Sequence, residues 1–198
     1  DREVSSSPDS FHVMNNEIYF YTGQNEIWRS NGTAAGTVAI KDLPHPVQSF
    51  NKQIISANGK VYFIYADIQH GPEIWCYDRN KNTSFLLKDI LPGNLKNYPP
   101  MGLTSINDTV YFIAYSNTHK YQVWRTDGTS NGTIMISHFN SSGLIKMPKA
   151  LHNIQGKLVA IEYDNISPSI MLFNMFKFDP GINDFVFIKQ FRNNYYDI

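Results

Sequence analysis

Apolar and polar residues alternate with a period of two along most of this chain. The runs are four to six residues long, rich in β-branched and aromatic side chains, and bounded by Asn, Gly and Asp. Such runs predict strands, and no stretch carries the apolar spacing and caps of a helix. The alternation also recurs on a longer period. EIYF at 17–20 returns as KVYF at 60–63, as TVYF at 109–112 and, degraded, as KLVA at 157–160, at intervals of 43 to 49 residues. A second signature follows each of these: EIW at 26–28, EIW at 73–75, QVW at 122–124, and Met175 with Phe176 in the tryptophan's place. A third closes the units as VAIKD at 38–42, LLKD at 86–89 and FIKQ at 187–190, with IMISH at 134–138 filling the slot in the third.

The second unit shows the plan most clearly. Its strands are expected over 53–57, 60–66, 73–77 and 84–89, and Asn58–Gly59 marks a hairpin because both residues tolerate positive φ. Four such antiparallel meanders predict an all-β fold, a β-propeller of four four-stranded blades, either closed as a four-bladed ring or forming four blades of a larger assembly. The whole chain, 1–198, is expected to be one domain, with units at about 10–52, 53–101, 102–148 and 149–191 and a tail at 192–198. The first strand is placed at 10–14 and the last at 184–191.

The runs EIWRSNGTAAGT at 26–37 and QVWRTDGTSNGT at 122–133 resemble the ELWxxDGT repeat family, whose members are mostly large, surface-associated or secreted bacterial proteins. Units one and three carry the match. Unit two keeps EIW and KDILPG at 88–93 but replaces the DGT turn with 77–82, and unit four has lost both. The resemblance implies tandem propeller-like blades and an extracellular address, and it brings no catalytic residues. The tryptophans are expected to fill the space between adjacent blades. The Asn31-Gly32-Thr33 and Asp127-Gly128-Thr129 runs are expected to be turns.

Composition narrows the function. With 42% hydrophobic, 14% aromatic and 17% charged residues the chain folds rather than staying disordered. Lys plus Arg equals Asp plus Glu at 17 each, so no global field favours nucleic acid. The longest apolar run, 61–66, is too short to enter a membrane as a helix. The single cysteine, Cys76, excludes an internal disulfide and reads as an inert core residue. The six histidines lack metal-ligand spacing, and no phosphate or dinucleotide loop is present, so no metal and no cofactor are expected.

Carboxylates such as Asp67, Glu73, Glu162 and Asp164 could pair across a propeller's axis, as in some glycosidases, but spacing in sequence does not show the separation that such chemistry demands. The expectation from sequence is therefore no enzyme.

Six asparagines stand in the acceptor pattern N-x-S/T: Asn31, Asn82, Asn107, Asn131, Asn140 and Asn165, against about 2.6 expected by chance. With the start at Asp1 rather than Met, they point to a secreted, N-glycosylated protein. Strand order would place Asn31, Asn82, Asn107 and Asn131 at one end of the blades. The long connections 43–52, 91–101 and 139–148 then fall at the other, where binding usually resides. The ligand candidates there are His45, Phe50, Tyr98, His119 and Tyr121. The expected function is an extracellular, non-catalytic binding or adhesion module for a glycan or protein ligand, and the alternative is a structural protomer of a glycosylated fibre or coat that associates with copies of itself.

Overall fold

The computed structural model describes residues 7–47, 51–93, 97–139, 147–167 and 170–194, and in it every unit of the repeat folds into one antiparallel four-stranded sheet. Sheet 1 holds β1 (Asp9–Met14), β2 (Glu17–Tyr21), β3 (Ile27–Ser30) and β4 (Val38–Ala39). Sheet 2 holds β5 (Ile54–Ala57), β6 (Lys60–Asp67), β7 (Gly71–Asp78) and β8 (Thr83–Leu86). Sheet 3 holds β9 (Met101–Ile106), β10 (Thr109–Ser116), β11 (Lys120–Thr126) and β12 (Ile134–Met135). Sheet 4 holds β13 (Ala150–Ile154), β14 (Lys157–Ser167), β15 (Ile170–Asp179) and β16 (Asp184–Asn194).

Within every sheet the spatial order is the chain order, and no helix occurs among the described residues. The sheets meet through their first strands: β1 touches β5, β5 touches β9, and β9 touches β13. Among the described residues no comparable contact joins sheet 4 back to sheet 1.

Local chemistry explains the turns. The connection between the first and second strands is two residues long in each sheet, and its first residue lies at positive φ: Asn15 at 50°, Asn58 at 49°, Asn107 at 52° and Gln155 at 52°. The turns between third and fourth strands in sheets 1 and 3 match bond for bond. Asn31 Oδ1 accepts from the N–H and hydroxyl of Thr33, as Asp127 Oδ1 does from those of Thr129. Thr33 and Thr129 accept from the N–H of Gly36 and Gly132, and the hydroxyls of Thr37 and Thr133 donate back to the carbonyls of Thr33 and Thr129.

A Cβ on Gly132 would run into the Asp127 carboxylate, and one on Gly36 into the Asn31 amide. Gly132→Ala should therefore cost about 1 to 3 kcal/mol by breaking this network. Urea unfolding followed by circular dichroism checks it; Gly132 is not at positive φ, so the loss would report the close approach to Asp127.

Three apolar clusters fill the three gaps between sheets. Met14, Tyr19, Tyr21, Ile27 and Ile40 pack on Val61, Phe63, Tyr65, Trp75 and Tyr77; Tyr62, Ile64, Ile74, Cys76 and Leu87 pack on Val110, Phe112 and Ala114; Ile113, Val123, Ile136 and Phe139 pack on Leu158, Ala160, Phe176 and Phe185. Trp75 and Trp124 stand in the first and second gaps and Phe176 replaces them in the third, as the sequence predicts for the repeated tryptophan. Trp28 differs. It lies on the side of sheet 1 that no other described sheet covers, paired with Phe20 and Ala39, and its indole N–H donates to Glu26.

Glu17 adds a polar tie between sheets 1 and 2. It accepts from Arg29, from Tyr19 and from Arg79 across the gap, and Arg79, foremost, holds its carboxyl below the ordinary range.

The strands depart from expectation at their outer edges. β4 and β12 keep only two residues each; beyond them, as beyond β8, Ile40, Ile136 and Leu87 rejoin the third strand through a single N–H to the carbonyls of Ile27, Val123 and Ile74. The last strand of sheet 4 runs on to Asn194. Cys76 is fully buried in the second cluster, and burial pushes its thiol up to about 12.

Candidate functional site

One end of sheet 3 gathers aromatic, imidazole and amide groups around an open cleft of about 490 Å³. The β10–β11 hairpin supplies Thr118, His119, Lys120 and Tyr121, and the segment that leaves β12 supplies Ser137, His138 and Phe139, with Met135 and Met147 completing the wall. Beside the cleft, Tyr98 stacks on Tyr115 with ring centroids 4.2 Å apart, and Tyr115 meets Tyr121 edge-on at 5.2 Å. The Lys120 ammonium sits 5.4 Å from the centroid of the Tyr115 ring and donates to its hydroxyl. Burial, with the phenols of Tyr98 and Tyr115 alongside, pushes the Tyr121 hydroxyl above its ordinary value.

Gln122 fixes the geometry of this end. Its carbonyl oxygen accepts from the Ser137 hydroxyl and the Phe139 N–H, and its amide nitrogen donates to the carbonyls of His119 and Phe139. The buried side chain thus ties the β10–β11 turn to the segment entering the connection to sheet 4. Glu73 stands at the same place in sheet 2 and accepts from the N–H groups of Ile90 and Leu91. Burial pushes its carboxyl up to about 8. His70 is the counterpart of His119 and is held by the buried Asp67 at 2.8 Å. His138, on the wall of the cleft, faces Asp184 of β16 at 3.4 Å.

Three of the five ligand candidates, Tyr98, His119 and Tyr121, come together here. His45 is exposed on a connection pinned to sheet 2 by Val47 N–H to Ala66 O, away from the cleft, and Phe50 lies outside the described residues. The sequence reading missed Tyr115, which looks like an ordinary strand residue. It also missed the tie made by Gln122, although QVW in register with EIW was its signal.

The four candidate acids do not assemble. Asp67 serves His70, Glu73 serves backbone, and Glu162 accepts from Asn174; the Asp164 side chain lies outside what is described. Asn31, Asn82, Asn107 and Asn131 are exposed in the turns at the opposite end of the sheets, Asn165 falls in β14, and Asn140 lies outside the described residues.

No family model matches the chain, and no curated protein matches it. Solved structures do. A puromycin-hydrolysing peptidase from Mycobacterium tuberculosis matches over 96% of this chain and 32% of its own, at a TM-score of 0.60 and 8% identity. A mutant of AofleA from Arthrobotrys oligospora matches over 96% and 58%, at a TM-score of 0.51 and 12% identity. An α-L-arabinofuranosidase from Clostridium thermocellum matches over 95% and 72%, at a TM-score of 0.42 and 11% identity, and an exo-β-1,3-galactanase and a sialidase also match. At these identities the likeness is one of fold, and it is propeller-like. The chain spans about a third of the length of the peptidase it matches.

These matches correct two expectations. The fold of this chain recurs in a hydrolase, the puromycin-hydrolysing peptidase, so the fold gives no ground for the assignments of a non-catalytic adhesion module or fibre protomer, and of no enzyme, and these do not stand. The physical reason is that absent motifs exclude only sites built at short, fixed spacing. Repeated sheets bring groups together from units that are far apart in sequence.

Proposed function

We propose that the four sheets are blades of a propeller larger than four blades, and that the end of sheet 3 bearing Tyr98, Tyr115 and Tyr121 engages a sugar ring of the molecule this propeller serves. The tyrosine cluster at the rim of the cleft carries the reading. Aromatic faces offer apolar area to the C–H face of a pyranose or furanose at small entropic cost, while the imidazoles of His119 and His138, the Thr118 hydroxyl and Lys120 supply polar partners for its hydroxyls. Membership of the ELWxxDGT repeats and a secreted, glycosylated state belong to the same proposal, supported by the duplicated turn and by four exposed acceptor asparagines.

Saturation-transfer NMR against a panel of methyl glycosides tests the site. At least one glycoside should receive saturation, and Tyr121→Ala and Tyr98→Ala should each weaken it about tenfold or more, with the circular dichroism spectrum unchanged. No transfer across the panel, or affinity unaltered in both variants, would sink the reading.

A further inference from the structure

The three gaps between sheets are built on one plan. Each sheet turns toward its successor a face bearing matched residues of the second and third strands: Tyr21 with Ile27, Ile64 with Ile74, and Ile113 with Val123, all buried. Each sheet turns toward its predecessor a face bearing the repeated ring, Trp75, Trp124 or Phe176. Both faces are left over at the ends of the array. Sheet 1 shows Trp28, Phe20, Phe11 and Val13 to no described neighbour, and Phe11 and Val13 are 58% and 67% exposed. Sheet 4 shows Ile161 and Met175 at the matched positions, flanked by the cross-strand row Tyr163, Phe173 and Phe191, of which Tyr163 and Phe191 are each 44% exposed.

We infer that the open face of sheet 4 packs on the open face of sheet 1 of a second copy of this chain, and that the reciprocal contact closes a ring of eight blades. Three observations support this occupant. The left-over faces carry the residue types that meet inside the chain at three successive gaps, so the contact continues an interface plan already present. The chain does not join sheet 4 to its own sheet 1 among the described residues. The formal net charge is zero, so no global repulsion opposes two copies meeting. A head-to-tail contact of this kind closes when its rotation divides the circle and otherwise grows into an open chain. This inference is independent of the sugar reading, since the faces lie away from the tyrosine cluster.

Multi-angle light scattering on the eluting protein tests it. The expected mass is twice 22.7 kDa. Val13→Glu on sheet 1 and Phe191→Glu on sheet 4 should each weaken dimerisation at least about tenfold while the folded spectrum is retained. An equimolar mixture of the two variants should regain a heterodimer in native mass spectrometry, because one of its two contacts joins two intact faces. A species that stays monomeric at high concentration would overturn the inference and leave the faces to blades of a longer polypeptide. So would a dimer indifferent to both substitutions, or assemblies that grow beyond two copies.

Discussion

Trp75→Ala should lower the free energy of unfolding by about 3 to 5 kcal/mol, the range typical for truncating a large buried aromatic. The side chain is 6% exposed between sheets 1 and 2, with the Tyr65 ring edge-on at 5.7 Å and His70 at 6.5 Å. Removing it opens a cavity that the flanking strands cannot fill without giving up their ladders. Trp75→Phe should cost about 1 to 2 kcal/mol, because the buried indole N–H has no hydrogen-bond partner among the described residues and its loss removes ring volume alone. Urea titration of both variants makes the comparison. A loss below about 1 kcal/mol for the alanine variant would show that the ring does not wedge the sheets apart.

Glu73→Gln should remove a pH dependence of stability. The Glu73 carboxyl is raised by burial to about 8 in the folded chain, above its ordinary 4.5. Below about pH 4.5 it is protonated in both states and the fold has its full stability. Between about 4.5 and 8 the unfolded chain ionises while the folded one resists, so stability falls as pH rises, by a few kcal/mol in all, and levels off above. Glutamine stays neutral throughout and can accept the Ile90 and Leu91 N–H bonds, as Gln122 accepts that of Phe139. The opposite exchange, Gln122→Glu, should create the same dependence in sheet 3, where a carboxylate would face the carbonyls of His119 and Phe139. Thermal melts of the two variants from pH 5 to 9 read both slopes. Parallel curves for parent and Glu73→Gln would show that the carboxyl does not titrate in that window.

The sheets and their turns were legible in the sequence because their causes are local. Period-two alternation places strands, Asn58–Gly59 bends the chain on its own, and Asp127 meets Thr129 two residues away. The wedge role of Trp75 and Trp124 was legible from the repeat. The different position of Trp28 was not, because a repeat does not announce its ends. Tyr98, His119 and Tyr121 could be picked out as rings on turns or long connections. Tyr115 could not, since a tyrosine inside a strand reads as core until the fold sets Tyr98 against it. The expectation of no catalysis rested on absent short motifs, and a fold shared with a hydrolase removes that footing, since groups brought together from different sheets need no compact motif.

The paired Asn31 and Asp127 turns satisfy their hydrogen bonds within a dozen residues of their own strands. Gene duplication can therefore lengthen or shorten such an array one unit at a time without disturbing the bonds of these turns. What each new copy has to inherit is the shape and oiliness of its two flanks.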